Sequence, residues 1–135
     1  VYKKDIIKLE AVQRRFTKKL RGFSSLNYAE RLIKLDADTL ELRRLKQDIL
    51  TMYKVFNNLL VLNVSEFFEL NRVNTRGHNF KLIKPICTNN ARAFSFACRR
   101  IDCWNSLPAN IFQIKSLSLF KENLNHVNFS SYLFI

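Results

Sequence analysis

The sequence predicts an all-α protein: a small helical bundle, a basic extended arm and two C-terminal helices. Three observations carry that expectation. The 135 residues include two glycines and two prolines, too few to punctuate a many-stranded sheet. Hydrophobic residues make up 47% and phenylalanines number twelve. That is enough for a packed core in a chain that, as one domain, buries roughly 65–70% of its extended surface. The longest patterned stretches repeat their apolar residues every three or four positions, the period of a helix.

Asp5 to Arg21, DIIKLEAVQRRFTKKLR, is the first such stretch. Tyr2, Ile6, Leu9, Val12, Gln13, Phe16 and Leu20 fall on one side, in a stripe about 120° wide at ~100° per residue. Lys3, Lys4, Lys8, Arg14, Arg15, Lys18, Lys19 and Arg21 collect opposite, with Asp5 and Glu10 near the margins. Gly22 stands where a helix C-cap favours positive φ, and the last cations suit the negative end of the helix dipole. The expectation is a helix whose apolar stripe docks on the long third helix and whose basic face meets something negative.

Asn27-Tyr28-Ala29-Glu30 reads as a capping box opening a short helix to about Lys34, to which Leu32 and Ile33 give the apolar contribution. Asp36-Ala37-Asp38 breaks it, and Asp38 or Thr39 caps the longest helix, about Leu40 to Leu60. Leu42, Leu45, Ile49, Met52, Phe56 and Leu59 form its seam, widened by Tyr53 and Leu60. Asn63-Val64-Ser65-Glu66 repeats the capping pattern before a turn through Phe67, Phe68 and Leu70. From Arg72 to Asn90 the helical period is lost. Gly77 and Pro85 interrupt it, and Phe80 and Leu82 alternate with Lys81 as in a short strand. Asn90 can cap a helix over about Ala91–Asn105, with Phe94, Cys98, Ile101 and Trp104 or Asn105 on one side. Pro108 ends that segment. Ser116 caps a last helix in which Phe120, Leu124 and Val127 align. The expected organisation is therefore a bundle at 1–70, an arm at 71–90, a helical pair at 91–127 and an apolar tail at 128–135.

Net charge is +12, and its distribution matters more than its size. Residues 1–21 carry eight basic and two acidic side chains, residues 22–71 six and seven, and residues 72–135 nine and two. Arg72 to Arg100 holds seven cations and no acid. Two separated basic tracts point to a polyanion, nucleic acid before acidic lipid. A membrane surface is disfavoured on the expectation that the first helix buries its apolar stripe against the third, since one face cannot be buried twice. Three cysteines, an odd number, with no signal-peptide pattern and no long apolar run suggest free thiols in an intracellular setting, nuclear or cytoplasmic. Their spacing fits no common zinc motif. The sequons at Asn63 and Asn128 are short enough to arise by chance. The start at Val1, inside a helical pattern, suggests a piece of a longer polypeptide.

Seven segments occur in a recognisable order: LEAVQRRFTKKLRG (Leu9–Gly22), NYAERL (Asn27–Leu32), ELRRLKQDILTMYKV (Glu41–Val55), SEFFEL (Ser65–Leu70), TRGHNFKL (Thr75–Leu82), CWNSLP (Cys103–Pro108) and SLSLFKENL (Ser116–Leu124). Together they resemble the region downstream of the polymerase palm in reverse transcriptases of non-LTR retrotransposons, the LINE-type elements, especially the jockey-like group. The resemblance implies a thumb-like helical region and the start of a C-terminal extension. It also implies two partners: an RNA/DNA template–primer duplex and the rest of the polymerase chain. The palm's aromatic-Ala-Asp-Asp signature does not occur, and Asp36-Ala37-Asp38 lacks the adjacent carboxylates that two-metal chemistry needs. No catalytic residue, metal ligand or cofactor is expected within this stretch; a divalent metal would belong to the palm.

The expected nucleic-acid contacts are Lys8, Arg15, Lys18 and Lys19 at the centre of the basic face, then Lys4 and Arg14. From the second tract come Arg76, at a turn where the backbone could approach a phosphate, and Lys81, Lys84, Arg92, Arg99 and Arg100 as general electrostatic contacts. Such contacts go to phosphates and give position without sequence choice. Several bland readings stand beside these. A charge run is often a solvated face, Arg76-Gly77-His78 is more simply a glycine turn, and Phe80, Phe94 and Phe96 are more often core than base-stacking platforms. Gln13 is better suited to satisfying a buried backbone group than to reading a base, and Trp104 reads as a packed helix end. The alternative function is a basic helical scaffold or adaptor acting through protein–protein contacts.

Overall fold

The computed structural model describes residues 2–73 and 76–135 and is all-α. Val1, Asn74 and Thr75, the last at the head of the TRGHNFKL segment, lie outside the described residues. Helices α1 (Lys3–Lys18), α2 (Tyr28–Lys34) and α3 (Leu40–Phe56) are followed by the short α4 (Val64–Phe67), α5 (Asn90–Ala93), α6 (Phe96–Arg99) and α7 (Ile101–Asn105), then by α8 (Leu117–Leu124). Extended pairing among the described residues is limited to one antiparallel bridge, Leu70 to Leu82. The chain forms two compact units, Val1–Leu45 with Leu133–Ile135, and Lys46–Tyr132.

In the first unit, local capping follows the sequence closely. Asn27 Oδ1 accepts the Glu30 N–H at 2.9 Å, and Glu30 Oε2 accepts the Asn27 N–H at 2.8 Å, which is the reciprocal capping box. The break at Asp36 is a Schellman turn. Asp36 has φ of 48°, and the Asp36 and Ala37 amides return to Ile33 and Leu32. Thr39 then caps α3, its Oγ1 accepting the Leu42 N–H at 3.2 Å. The apolar tail folds back here, with Phe134 and Ile135 amides donating to the Glu41 carboxylate at 2.8 and 3.1 Å.

The docking of α1 differs from expectation. Its apolar stripe is open: Leu9 is 58% exposed, Val12 67% and Phe16 64%, whereas Glu10 is 1% exposed and Thr17 is buried. The helix turns a mostly polar row, Ile6, Glu10, Gln13 and Thr17, toward its unit. The physical reason lies in unmet hydrogen-bonding groups on α2 and at the start of α3. These need polar partners more than they need leucines.

In the second unit, Ile49, Met52, Tyr53 and Val55 of α3 are fully buried, while Leu59 is exposed. The expected seam stops early because α3 ends at Phe56 rather than Leu60. Asn58 takes φ of 55°, and the Asn58 and Leu59 amides return to Val55 and Lys54, a second Schellman turn. Tyr53 stacks on Phe120 of α8 at 3.9 Å and its hydroxyl donates to the Ile114 carbonyl at 2.7 Å.

The continuous helix expected over Ala91–Asn105 is three short helices instead. Ser95 is extended, and its hydroxyl donates to the Arg92 carbonyl at 2.7 Å, a side-chain bond that competes with helix continuation. Asn89, rather than Asn90, is the cap, accepting the Arg92 N–H at 2.9 Å. The arm is anchored on CWNSLP. The Trp104 indole N–H donates to the Phe80 carbonyl at 2.8 Å. The Asn105 amide accepts from Leu82 N and donates to Leu82 O at 2.8 and 2.9 Å. One side chain thus pairs with Leu82 as a neighbouring strand would.

Candidate nucleic-acid interface

The basic face of α1 is held in place by the polar row beneath it. Glu10 Oε2 accepts the Leu40 N–H at 2.9 Å, and its other oxygen accepts the Tyr28 hydroxyl. Gln13 Nε2 donates to Tyr28 Oη at 3.0 Å and to the Asp38 carbonyl at 3.1 Å, the backbone role its position suggested. One carboxylate and one amide therefore join α1 to α2 and to the N-terminus of α3, whose dipole favours the negative charge. Burial raises the Tyr28 hydroxyl to about 12, reinforced by the Glu10 hydrogen bond and charge. Farther along, Arg31 donates to Thr17 Oγ1 at 3.1 Å and to the Leu26 carbonyl at 2.7 Å.

With that row facing inward, the cations of α1 point to solvent. Lys4, Lys8, Arg14, Arg15, Lys18 and Lys19 are all exposed. Among the described residues no acidic side chain pairs with Lys8, Arg15, Lys18 or Lys19. Lys4 lies 5.7 Å from the Tyr2 ring centre, and the Arg14 guanidinium rests 4.7 Å from that of Tyr28, so Arg14 also packs within its own unit.

The second tract is distributed differently. Arg99 grips Asp48 through Nε at 2.9 Å and Nη2 at 2.6 Å, and Arg100 Nε reaches the same carboxylate at 2.9 Å. Adjacent residues on one regular helix do not face the same way. The break between α6 and α7 lets both reach Asp48. Lys84 pairs with Asp102, and the Lys81 ammonium donates to the Arg76 carbonyl. Arg76 and Arg92 side chains are exposed. Gly77 has φ of 106°, a conformation that favours glycine.

The aromatic and ionisable groups nearby pack within the second unit. His78 is buried, tilted against Phe112 at 3.9 Å, and its Nε2 lies 3.0 Å from the Trp104 carbonyl while Nδ1 accepts the Phe80 N–H at 3.1 Å. Burial lowers its pKa, with the Lys81 charge acting the same way against the Trp104 hydrogen bond. Phe80 stacks on Phe112 at 5.4 Å, and Phe96 meets Phe68 edge-on at 6.0 Å. Cys98 and Cys103 are buried thiols, and burial pushes Cys103 up to about 12. A groove of about 930 Å³ lies beside α4, with Phe67, Val73, Ile83, Arg72 and Arg92 among its lining.

Sequence reasoning missed Glu10 and Asp48 as positioning residues. The available signal for Glu10 was the row Glu10, Gln13, Thr17 at helical spacing on one face of an otherwise cationic helix. Asp48 stood alone inside an apolar seam, which also called for a buried partner. No helix among the described residues is long and apolar enough to cross a membrane. No family model matches the chain, and no curated protein or solved structure matches it.

Proposed function

We propose that the chain is a non-catalytic, nucleic-acid-binding part of a LINE-type reverse transcriptase, holding the phosphate backbones of an RNA/DNA template–primer duplex with α1. The observation that carries this reading is the exposed row Lys8, Arg15, Lys18 and Lys19, without acidic partners among the described residues, on a helix anchored from behind by Glu10 and Gln13. A merely soluble face would mix signs. A rigid helix presenting cations of one sign makes a line of phosphate contacts without base readout. Lys4 and Arg14 extend the row, and Arg76 and Arg92 of the second unit add general electrostatic attraction. Arg99 and Arg100 act chiefly inside the fold, and Lys84 is exposed but paired with Asp102. The order of the seven sequence segments supports the polymerase assignment, with the remainder of that polymerase and its divalent metal outside this stretch.

The test is charge reversal at Lys8, Arg15 and Lys18, read as affinity for an RNA/DNA hybrid duplex of several sequences. The expected result is a similar loss for every sequence. Undiminished binding, or a loss confined to one sequence, would contradict it.

A further inference from the structure

The apolar side of α1 has a pattern that the docking of the helix leaves unused. Leu9 and Phe16 are seven residues apart and Val12 lies three beyond Leu9, the a and d positions of a coiled-coil heptad, with Lys19 at the d position that follows. Leu9, Val12 and Phe16 are all more than half exposed. In the same register Ile6, Gln13 and Leu20 occupy the e positions and are only partly exposed, Gln13 through its bonds to Tyr28 and Asp38. Lys8 and Arg15 fall at g, on the open flank, and both are exposed.

We propose that this seam docks an amphipathic helix of a partner protein, one with apolar residues on its inner face and glutamates or aspartates along its edge. Contiguous apolar exposure on an otherwise charged helix marks an interaction surface. The cations at g select the charge of the partner, because e and g pairs decide which helices associate. A second copy of this chain fits poorly. Antiparallel pairing would set Lys8 and Arg15 against their own copies, and parallel pairing needs the e positions that already face inward. Asp5 and Lys19, at the d positions on either side of Val12, oppose insertion into a bilayer, whereas charged ends can pair with a partner helix of matching charge. The exposed apolar part of the seam, Leu9 to Phe16, spans little more than one heptad of a sixteen-residue helix, so its apolar contacts and its charged flank must act together. The seam shares Lys8 and Arg15 with the phosphate-binding row, whereas Leu9, Val12 and Phe16 belong to the seam alone.

The experiment uses two synthetic helical peptides with leucine at a and d, one carrying glutamate and the other lysine at e and g. Binding to the whole chain is read by fluorescence anisotropy. The glutamate peptide should bind at least about tenfold more tightly than its lysine counterpart, the factor expected of complementary against like charges. The double variant Leu9→Ser/Phe16→Ser should lose that binding while keeping its helical content and its affinity for a hybrid duplex. Since both positions face solvent, the fold does not depend on them. Equal binding of the two peptides, or retained binding in the double variant, would overturn the proposal. So would vesicle binding or self-association lost in that variant when neither peptide binds.

Discussion

The carboxylate of Glu10 accepts the backbone N–H of Leu40 at 2.9 Å, so a residue of α1 stabilises the first turn of α3 across thirty positions of sequence. The same carboxylate receives the Tyr28 hydroxyl. Glu10→Ala removes a cap and leaves that half-buried hydroxyl without its acceptor, and should cost about 2 kcal/mol in chemical denaturation. Glu10→Gln, which retains one acceptor oxygen, should cost less. A loss no greater than that of Lys8→Ala would show that the bridge contributes nothing.

Tyr28 makes this bridge sensitive to alkali. Its folded pKa is raised to about 12, against about 10 in an unfolded chain. Between those values the unfolded state has released its proton while the folded state keeps it, so stability falls as pH rises. The contribution is fully present below about pH 10 and lost through 12. Tyr28→Phe should remove this part of the alkaline slope. A tyrosinate titration of Tyr28 with a midpoint near 10 would contradict the assignment.

His78 gives the opposite sign at the acid end. Burial lowers its pKa, and both ring nitrogens are committed, Nε2 to the Trp104 carbonyl and Nδ1 to the Phe80 N–H. Protonating Nδ1 would set a donor against a donor. The unfolded state takes up its proton first as pH drops below about 6.5, so stability should decline there. His78→Gln should be less stable at neutral pH and should show a flatter acid slope. An unchanged slope would remove His78 from the account.

Asp48 is the corresponding joint of the second unit, with Arg99 and Arg100 on one nearly buried carboxylate. Asp48→Ala leaves two poorly solvated cations without their acid and should cost about 3 kcal/mol. Arg99→Ala should likewise lower stability and leave duplex affinity close to unchanged when measured on folded protein. A large affinity loss at full stability would return Arg99 to the interface.

The elements that were legible in the sequence are those specified locally. Asn27 and Glu30 are three residues apart and cap each other wherever the chain goes. The helical period of Leu45, Ile49 and Met52 needs no knowledge of what covers it. Ends were less readable: Asn57-Asn58 terminates α3 through a left-handed asparagine that glycine would have advertised. The docking of α1 was not readable from its own pattern. An exposed leucine and a buried glutamate invert the usual preference, and the inversion is set by Tyr28 and Leu40, distant in sequence. The same reasoning explains the second tract, where Arg99 and Arg100 look like free cations until Asp48 is placed beside them.

The central claim is that α1 grips phosphates, and the salt dependence of duplex binding tests it most directly. If about six phosphates are contacted, affinity for an RNA/DNA hybrid should fall about a thousandfold between 50 and 200 mM salt. The slope should shrink in the Lys8→Glu/Arg15→Glu/Lys18→Glu variant. An affinity indifferent to salt, or no binding at the lower concentration, would contradict the account.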